Sequence, residues 1–226
     1  MKGEIKVDNE TIPLIDGEAL QEEDQMGDDS QQSAPTDFPE EAFTGFFKRY
    51  RDLVEPCTEA PPVYHWVTFL TMIGLLLGRL VFIRVPYPLF PNFYSLLIGR
   101  TGIDRKSTAM KCGDHEILQR IPNNIVYVKG ALSSEGIYEV LAKQSNTRLL
   151  LYCDEMRSFL NISNRQGTSD IIPRLNTLYD CPDSDDLTRS RGQSIQIDHP
   201  FVSFIAGTPK EWLTMLLAVG KSWVVS

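Results

Sequence analysis

The stretch "IGRTGIDRKST" (residues 98–108) joins an apolar run, FYSLLIG (93–99), to a segment of helical spacing over 106–119. Glycines followed by Lys-Ser between a strand and a helix is the pattern of a phosphate-binding loop. Glycines let backbone N–H groups close around phosphates without Cβ interference, the lysine meets phosphate charge, and the hydroxyl holds Mg²⁺. Gly99, Gly102, Arg105, Lys106, Ser107 and Thr108 are therefore candidate cofactor-binding residues, with Ser107 also a candidate metal ligand. The spacing departs from the standard one. Arg100 and Arg105 stand six places and one place before the lysine, where glycines are expected, and Asp104 carries a negative charge into a loop meant for anions. By itself the stretch is equally compatible with an ordinary strand–turn–helix. An arginine at 105 costs roughly 1–2 kcal/mol if the position needs positive φ. Its guanidinium would offset this by reaching a phosphate, and would neutralise Asp104 next door.

A second stretch bears on the first. "RLLLYCDEM" (148–156) is an apolar strand ending in Asp154-Glu155, 48 residues after Lys106. Such a strand delivers an aspartate to a metal and a glutamate that can polarise an attacking water. Two acids also simply favour a helix start. Loop and acidic strand end, in this order, predict a P-loop fold. A third stretch, "FVSFIAGTPKEW" (201–212), is a continuous apolar strand ending in Thr208. That threonine is either a polar residue at a strand end that senses the terminal phosphate, or a helix cap followed by Pro209 in the first turn.

Outward from these stretches, short apolar runs alternate with helix-like segments. LVFIRV (80–85), 93–99, NIVYVKG (124–130), 148–154 and 201–208 read as strands. Residues 106–119, 134–144 and the region after 154 to about Tyr179 read as helices, 187–198 as a hairpin around Arg191-Gly192, and 210–218 as the start of a helix. This alternation predicts an α/β fold, a mostly parallel sheet covered by helices. A helical lead-in over 38–84 precedes a core over 85–226. In it, Phe43, Phe46, Phe47, Tyr50 and Leu53 form one stripe, and Thr58 is the expected N-cap of the next helix, near Pro61 and Pro62. WVTFLTMIGLLLG (66–78) is apolar all round but only thirteen residues long before Arg79, which predicts a buried core helix and no membrane span.

Residues 1–41 hold 13 acidic and 2 basic residues, whereas the other 185 hold 17 acidic and 20 basic. The net charge of −8 thus belongs to the N-terminal stretch, and 1–37 reads as a disordered acidic tail. The remainder, mildly basic, is compatible with polyanion contact without requiring it. Four scattered cysteines and three histidines show no metal-ligand spacing. Free thiols and no basic-then-apolar start predict a cytoplasmic protein.

In the order of these stretches, with SSEGIYEVLAKQ and LNTLYDCPDSDDLTRSRG between them, the chain resembles an uncharacterised-domain family of P-loop ATPases, RecA-like or AAA-like. These are carried by phages, plasmids and other mobile elements and often joined to primase domains. The resemblance runs from about Phe38 to Leu217. It implies a helicase-like replication ATPase that uses ATP and Mg²⁺, acts on nucleic acid and assembles as a homo-oligomeric ring. Lys106 and Ser107 would hold phosphate and Mg²⁺, Asp154 the metal and Glu155 the water. Thr208 would sense nucleotide state, and Arg189 or Arg191 would act across a subunit boundary unless they only solubilise the hairpin. Arg105 puts hydrolysis in doubt more than binding, which leaves a degenerate nucleotide-binding or structural module as the alternative. A P-loop kinase is less favoured because no arginine-rich lid is evident. The resemblance also implies a chain truncated after the Thr208 strand.

Overall fold

The computed structural model describes residues 38–122, 124–130, 132–143, 145–163, 170–189 and 192–213, together with two short strands nearer the N-terminus. Residues 1–37 and 38–226 form separate units. In the first, the described residues are the strands β1 (Lys6–Val7) and β2 (Glu10–Thr11), paired antiparallel.

The second unit is α/β. Four parallel strands form its sheet: β5 (Tyr94–Ile98), β6 (Val126–Lys129), β7 (Arg148–Cys153) and β10 (Phe201–Thr208), in the order β5-β10-β7-β6. The chain crosses from β5 to the far edge at β6, then returns through β7 to β10. Parallel crossovers are right-handed, so outward and return connections lie on opposite faces. The residues follow that rule with period two. Leu150, Tyr152, Phe201 and Ile205 enter one core with α1 (Gly45–Val54), α2 (Pro62–Leu77) and α3 (Lys106–Gly113). Leu149, Leu151, Val202, Phe204 and Ala206 enter the other core, with α4 (Ser134–Leu141), α5 (Met156–Ser163) and α6 (Ile171–Tyr179). Every residue of β10 is buried, as a strand covered on both faces requires. A π turn over Asp114–Leu118 continues α3. The hairpin of β8 (Ser184–Thr188) and β9 (Ser194–Asp198) packs Leu187 and Ile197 into the α4 side. Its first strand begins three residues earlier than the hairpin expected over 187–198, and its second ends at the expected Asp198. Residues 210–213 are helical, and the rest of the helix expected over 210–218 lies outside the described residues.

Three local expectations are corrected. The run 80–85 does not join the parallel sheet. Within it β3 (Ile83–Val85) forms a strand, which pairs antiparallel with β4 (Tyr87–Leu89) in a separate exposed ribbon. Pro86 and Pro88 lack the N–H groups that an interior strand needs, which confines this segment to an edge. In α1 the buried residues are Tyr50 and Val54, with Phe47 packed against the same core and Phe43 buried just before the helix. Phe46 and Leu53 are 75% and 52% exposed, because α2 covers only one side of the helix. Thr58 does not cap α2. Its hydroxyl accepts from Ala60 N at 3.1 Å, and the helix begins at Pro62 after an extended Pro61.

With its following turn, α2 gives a 19-residue run, Pro62–Leu80, of mean hydropathy 1.4, long and apolar enough by composition to cross a membrane. It starts earlier than the thirteen-residue stretch suggested. Here Met72 and Leu75 are fully buried against the sheet. Gly74 lets the chain before β5 pass, since a Cβ there would stand 1.9 Å from Pro91 O. Arg148 of β7 caps the helix end, donating from Nη1 to Leu76 O at 2.5 Å.

His65 of α2 is 2% exposed, and neither ring nitrogen has a hydrogen-bond partner among the described residues. Burial lowers its pKa from 6.5 to about 4. Between those values the unfolded chain binds a proton that the folded chain does not, so stability falls as pH drops from 6.5 towards 4, by at most about 3 kcal/mol. Urea unfolding across this range should show a flatter pH dependence for His65→Phe than for the parent. Equal slopes would mean that His65 is not held neutral.

Candidate functional site

The C-terminal ends of β5, β7 and β10 meet at one edge of the sheet, the place where crevices form in open parallel sheets. Register brings Thr208 beside Ile98 and Ala206 beside Cys153. Gly99 N donates to Thr208 O at 3.1 Å, extending that pairing into the loop. Gly207 permits the approach on the other side, since a Cβ there would lie 3.0 Å from Asp154 O. The result is a cleft of about 410 Å³ bounded by the loop residues Arg100, Gly102, Arg105, Lys106, Ser107 and Thr108, by Asp154 and Glu155, and by Thr208.

The loop closes on itself. Lys106 is buried, and its Nζ donates to Gly99 O at 2.5 Å and Arg100 O at 3.2 Å. Burial lowers its pKa, opposed by the charge of Asp104. The Asp104 carboxylate accepts from Arg100 N at 2.7 Å and from Arg100 Nη2 at 3.0 Å. These bonds hold its pKa below the ordinary carboxylate value. The expected Asp104–Arg105 pair is therefore not formed. Asp104 N donates to Arg100 O at 3.3 Å, so the turn sets residues 100 and 104 side by side. The guanidinium of Arg105 points instead to Glu59, 3.6 Å away. Gly99 contributes space rather than φ, since a Cβ would lie 2.3 Å from Tyr64 Oη and 2.8 Å from Asp104 Oδ2. Gly102 contributes φ, at +75°.

Arg105 is left-handed, with φ 49° and ψ 32°, at the residue before α3. This position does need the positive φ that glycine adopts freely. Arg105→Gly should raise the unfolding free energy by about 0.5–1 kcal/mol, the relieved strain less glycine's greater unfolded-state freedom. The lost Glu59 pair weighs little, its side chains being half-exposed or more. Urea denaturation measures this, and an unchanged or lower midpoint would mean that the position is not strained.

Asp154 and Glu155 follow β7 with exposed side chains, and Glu155 O accepts from Ser158 N at 3.1 Å as α5 begins. Thr208 is fully buried. Arg189 is not among the residues bounding the cleft. It sits at the end of β8 and bonds Glu139 of α4, and Arg191 lies outside the described residues. Sequence reasoning missed Tyr64 and Glu59. Tyr64 Oη donates to Ile98 O at 2.5 Å, so the lead-in grips both ends of the loop. Nothing local marks either residue, since each meets the loop across more than 30 positions of chain.

No group of three or more His, Cys, Asp or Glu side chains among the described residues could hold a metal alone. Mg²⁺ does not require one, because it is usually held by one or two protein oxygens together with substrate phosphates and water. Ser107 and Asp154, both facing the cleft, fit that donor set. No protein-family model and no curated sequence matches the chain.

Proposed function

We propose that the cleft binds a nucleoside triphosphate, ATP with Mg²⁺, and hydrolyses it in a helicase-like, replication-type ATPase acting on nucleic acid. The observation that carries the nucleotide proposal is the convergence of three strand ends. A lysine and a hydroxyl opening α3, adjacent acids after β7, and a buried threonine ending β10 all face one cleft. Lys106 and the first turn of α3 would meet phosphate charge, and Ser107 and Asp154 would hold the metal. The metal, when bound, neutralises charge on the phosphate oxygens. Glu155 would accept the proton of the attacking water, and Thr208 would register whether the terminal phosphate is present. The nucleic-acid partner and the ring assembly rest on the family resemblance.

A second reading, nucleotide binding without turnover, is favoured by the strained Arg105 and by Lys106 Nζ resting on two carbonyls of its own loop. Phosphate release from Mg²⁺–ATP, with and without single-stranded DNA, separates the two. Stimulated release supports the ATPase, binding without release supports the second reading, and no binding removes both.

A further inference from the structure

A second cavity, of about 250 Å³, opens between the end of α1 and the flank of α3. Thr108 lines it and also lines the phosphate-loop cleft, so the two spaces adjoin at that residue. Its α3 side is Thr108, Lys111, Cys112 and His115. These fall at i, i+3, i+4 and i+7 and make one stripe leading away from the loop, roughly 10 Å long at 1.5 Å per residue. Its opposite wall is Leu53 and Val54 of α1, with Cys57 beyond them. Leu53 is a large apolar side chain left 52% exposed there. Apolar walls with a few polar groups at the rim characterise small-molecule sites. Here the polar groups are the Lys111 ammonium, His115 and Glu116, whose carboxylate lies 2.7 Å from His115 Nδ1 and is also paired with Arg120.

We propose that this groove takes the nucleoside end, sugar and base, of a nucleotide whose phosphates occupy the loop. The inference rests on phosphate binding at Lys106 and adds where the rest of the molecule lies. A ligand with a polyanionic end and a flat, partly apolar end matches the two adjoining spaces. Leu53 and Val54 would cover the base, and Lys111 and His115 would offer hydrogen bonds at its edge. The Arg105–Glu59 contact ties the loop to the chain segment just after Cys57, so the lip of the groove and the loop are linked.

Two of the four cysteines report on the proposal directly. Cys57 is exposed and Cys112 half-buried in the groove, whereas Cys153 and Cys181 are buried elsewhere. In the full chain, alkylation of Cys57 and Cys112 is followed by mass spectrometry with Mg²⁺–ATP, with Mg²⁺–tripolyphosphate, or with neither. ATP should slow labelling, and tripolyphosphate, which has no nucleoside, should not. Cys57→Trp, a change at an exposed site, should weaken ATP binding about tenfold, equivalent to roughly 1.4 kcal/mol, and leave tripolyphosphate binding unchanged. If ATP binds in a Lys106-dependent way while labelling and the Cys57→Trp affinity stay as they were, the nucleoside lies elsewhere. The inference then fails and phosphate binding at the loop stands. Equal protection by tripolyphosphate would mean loop closure rather than base occupancy, and also overturns it. If neither probe binds, the phosphate assignment fails and takes the inference with it.

Discussion

Replacing Lys106 with alanine should weaken Mg²⁺–ATP binding about 100-fold. A hydrogen bond to a charged partner contributes roughly 1.5–3 kcal/mol, and its upper range corresponds to that factor. The magnitude reflects where the ammonium sits. It is buried at the start of α3, beside the cleft that Ser107 and Asp154 also face. Its present acceptors, Gly99 O and Arg100 O, are loop carbonyls, so it lies against the loop that would wrap a phosphate. Because the same bonds hold the loop shut, the variant's unfolding midpoint without nucleotide must be measured beside its affinity. Lys106→Arg, which keeps the charge, separates loss of charge from loss of fold. Calorimetric titration giving equal affinities for the parent and a folded Lys106→Ala protein would remove the phosphate site from this loop.

Glu155→Gln should bind Mg²⁺–ATP as the parent does and lose turnover by about 10²–10⁴-fold, the usual contribution of a positioned general base. The substitution keeps side-chain size and removes only the ability to take a proton. Glu155 is exposed at the mouth of the cleft, and among the described residues Ser158 N and Cys153 Sγ bond its backbone carbonyl rather than its side chain, so little stability is at stake. Asp154→Asn should behave differently, weakening the Mg²⁺-dependent part of binding. Single-turnover phosphate release alongside equilibrium binding distinguishes them. If Glu155→Gln left the rate of a hydrolysing parent unchanged, another group would be the base.

The strands of the parallel sheet and most of the helices were legible because local pattern sets them. The mostly apolar runs at 148–153 and 201–208 are short, of strand length, and match strands covered on both faces. The failures were also local rules overridden. The apolar run 80–85 carries strand propensity, yet the prolines after it keep it out of the parallel sheet, and its end pairs only with β4 in an exposed ribbon. The stripe through Phe46 and Leu53 follows helical spacing, but spacing does not say how wide a face the partner helix will cover. Asp104 illustrates the same limit at the site. Two arginines lie within reach in sequence, and the closure of the turn selects Arg100 over its immediate neighbour Arg105.

By itself, then, the sequence determined which residues could carry phosphate and acid chemistry and that they stand at the ends of buried strands. Residue type and hydrophobic period are local properties of the chain. Only the tertiary structure decided that these ends meet. The order β5-β10-β7-β6 puts Thr208 between the loop and the acids, and this placement depends on β10 pairing with β5 and with β7, whose partner residues are 110 and 53 positions apart. An order that exchanged β7 and β10 at the centre, or β5 and β6 at the edges, would satisfy the same apolar pattern. It likewise decided that Arg105 is left-handed and turned towards Glu59, because backbone conformation at a loop end is set by the strand and helix it must join.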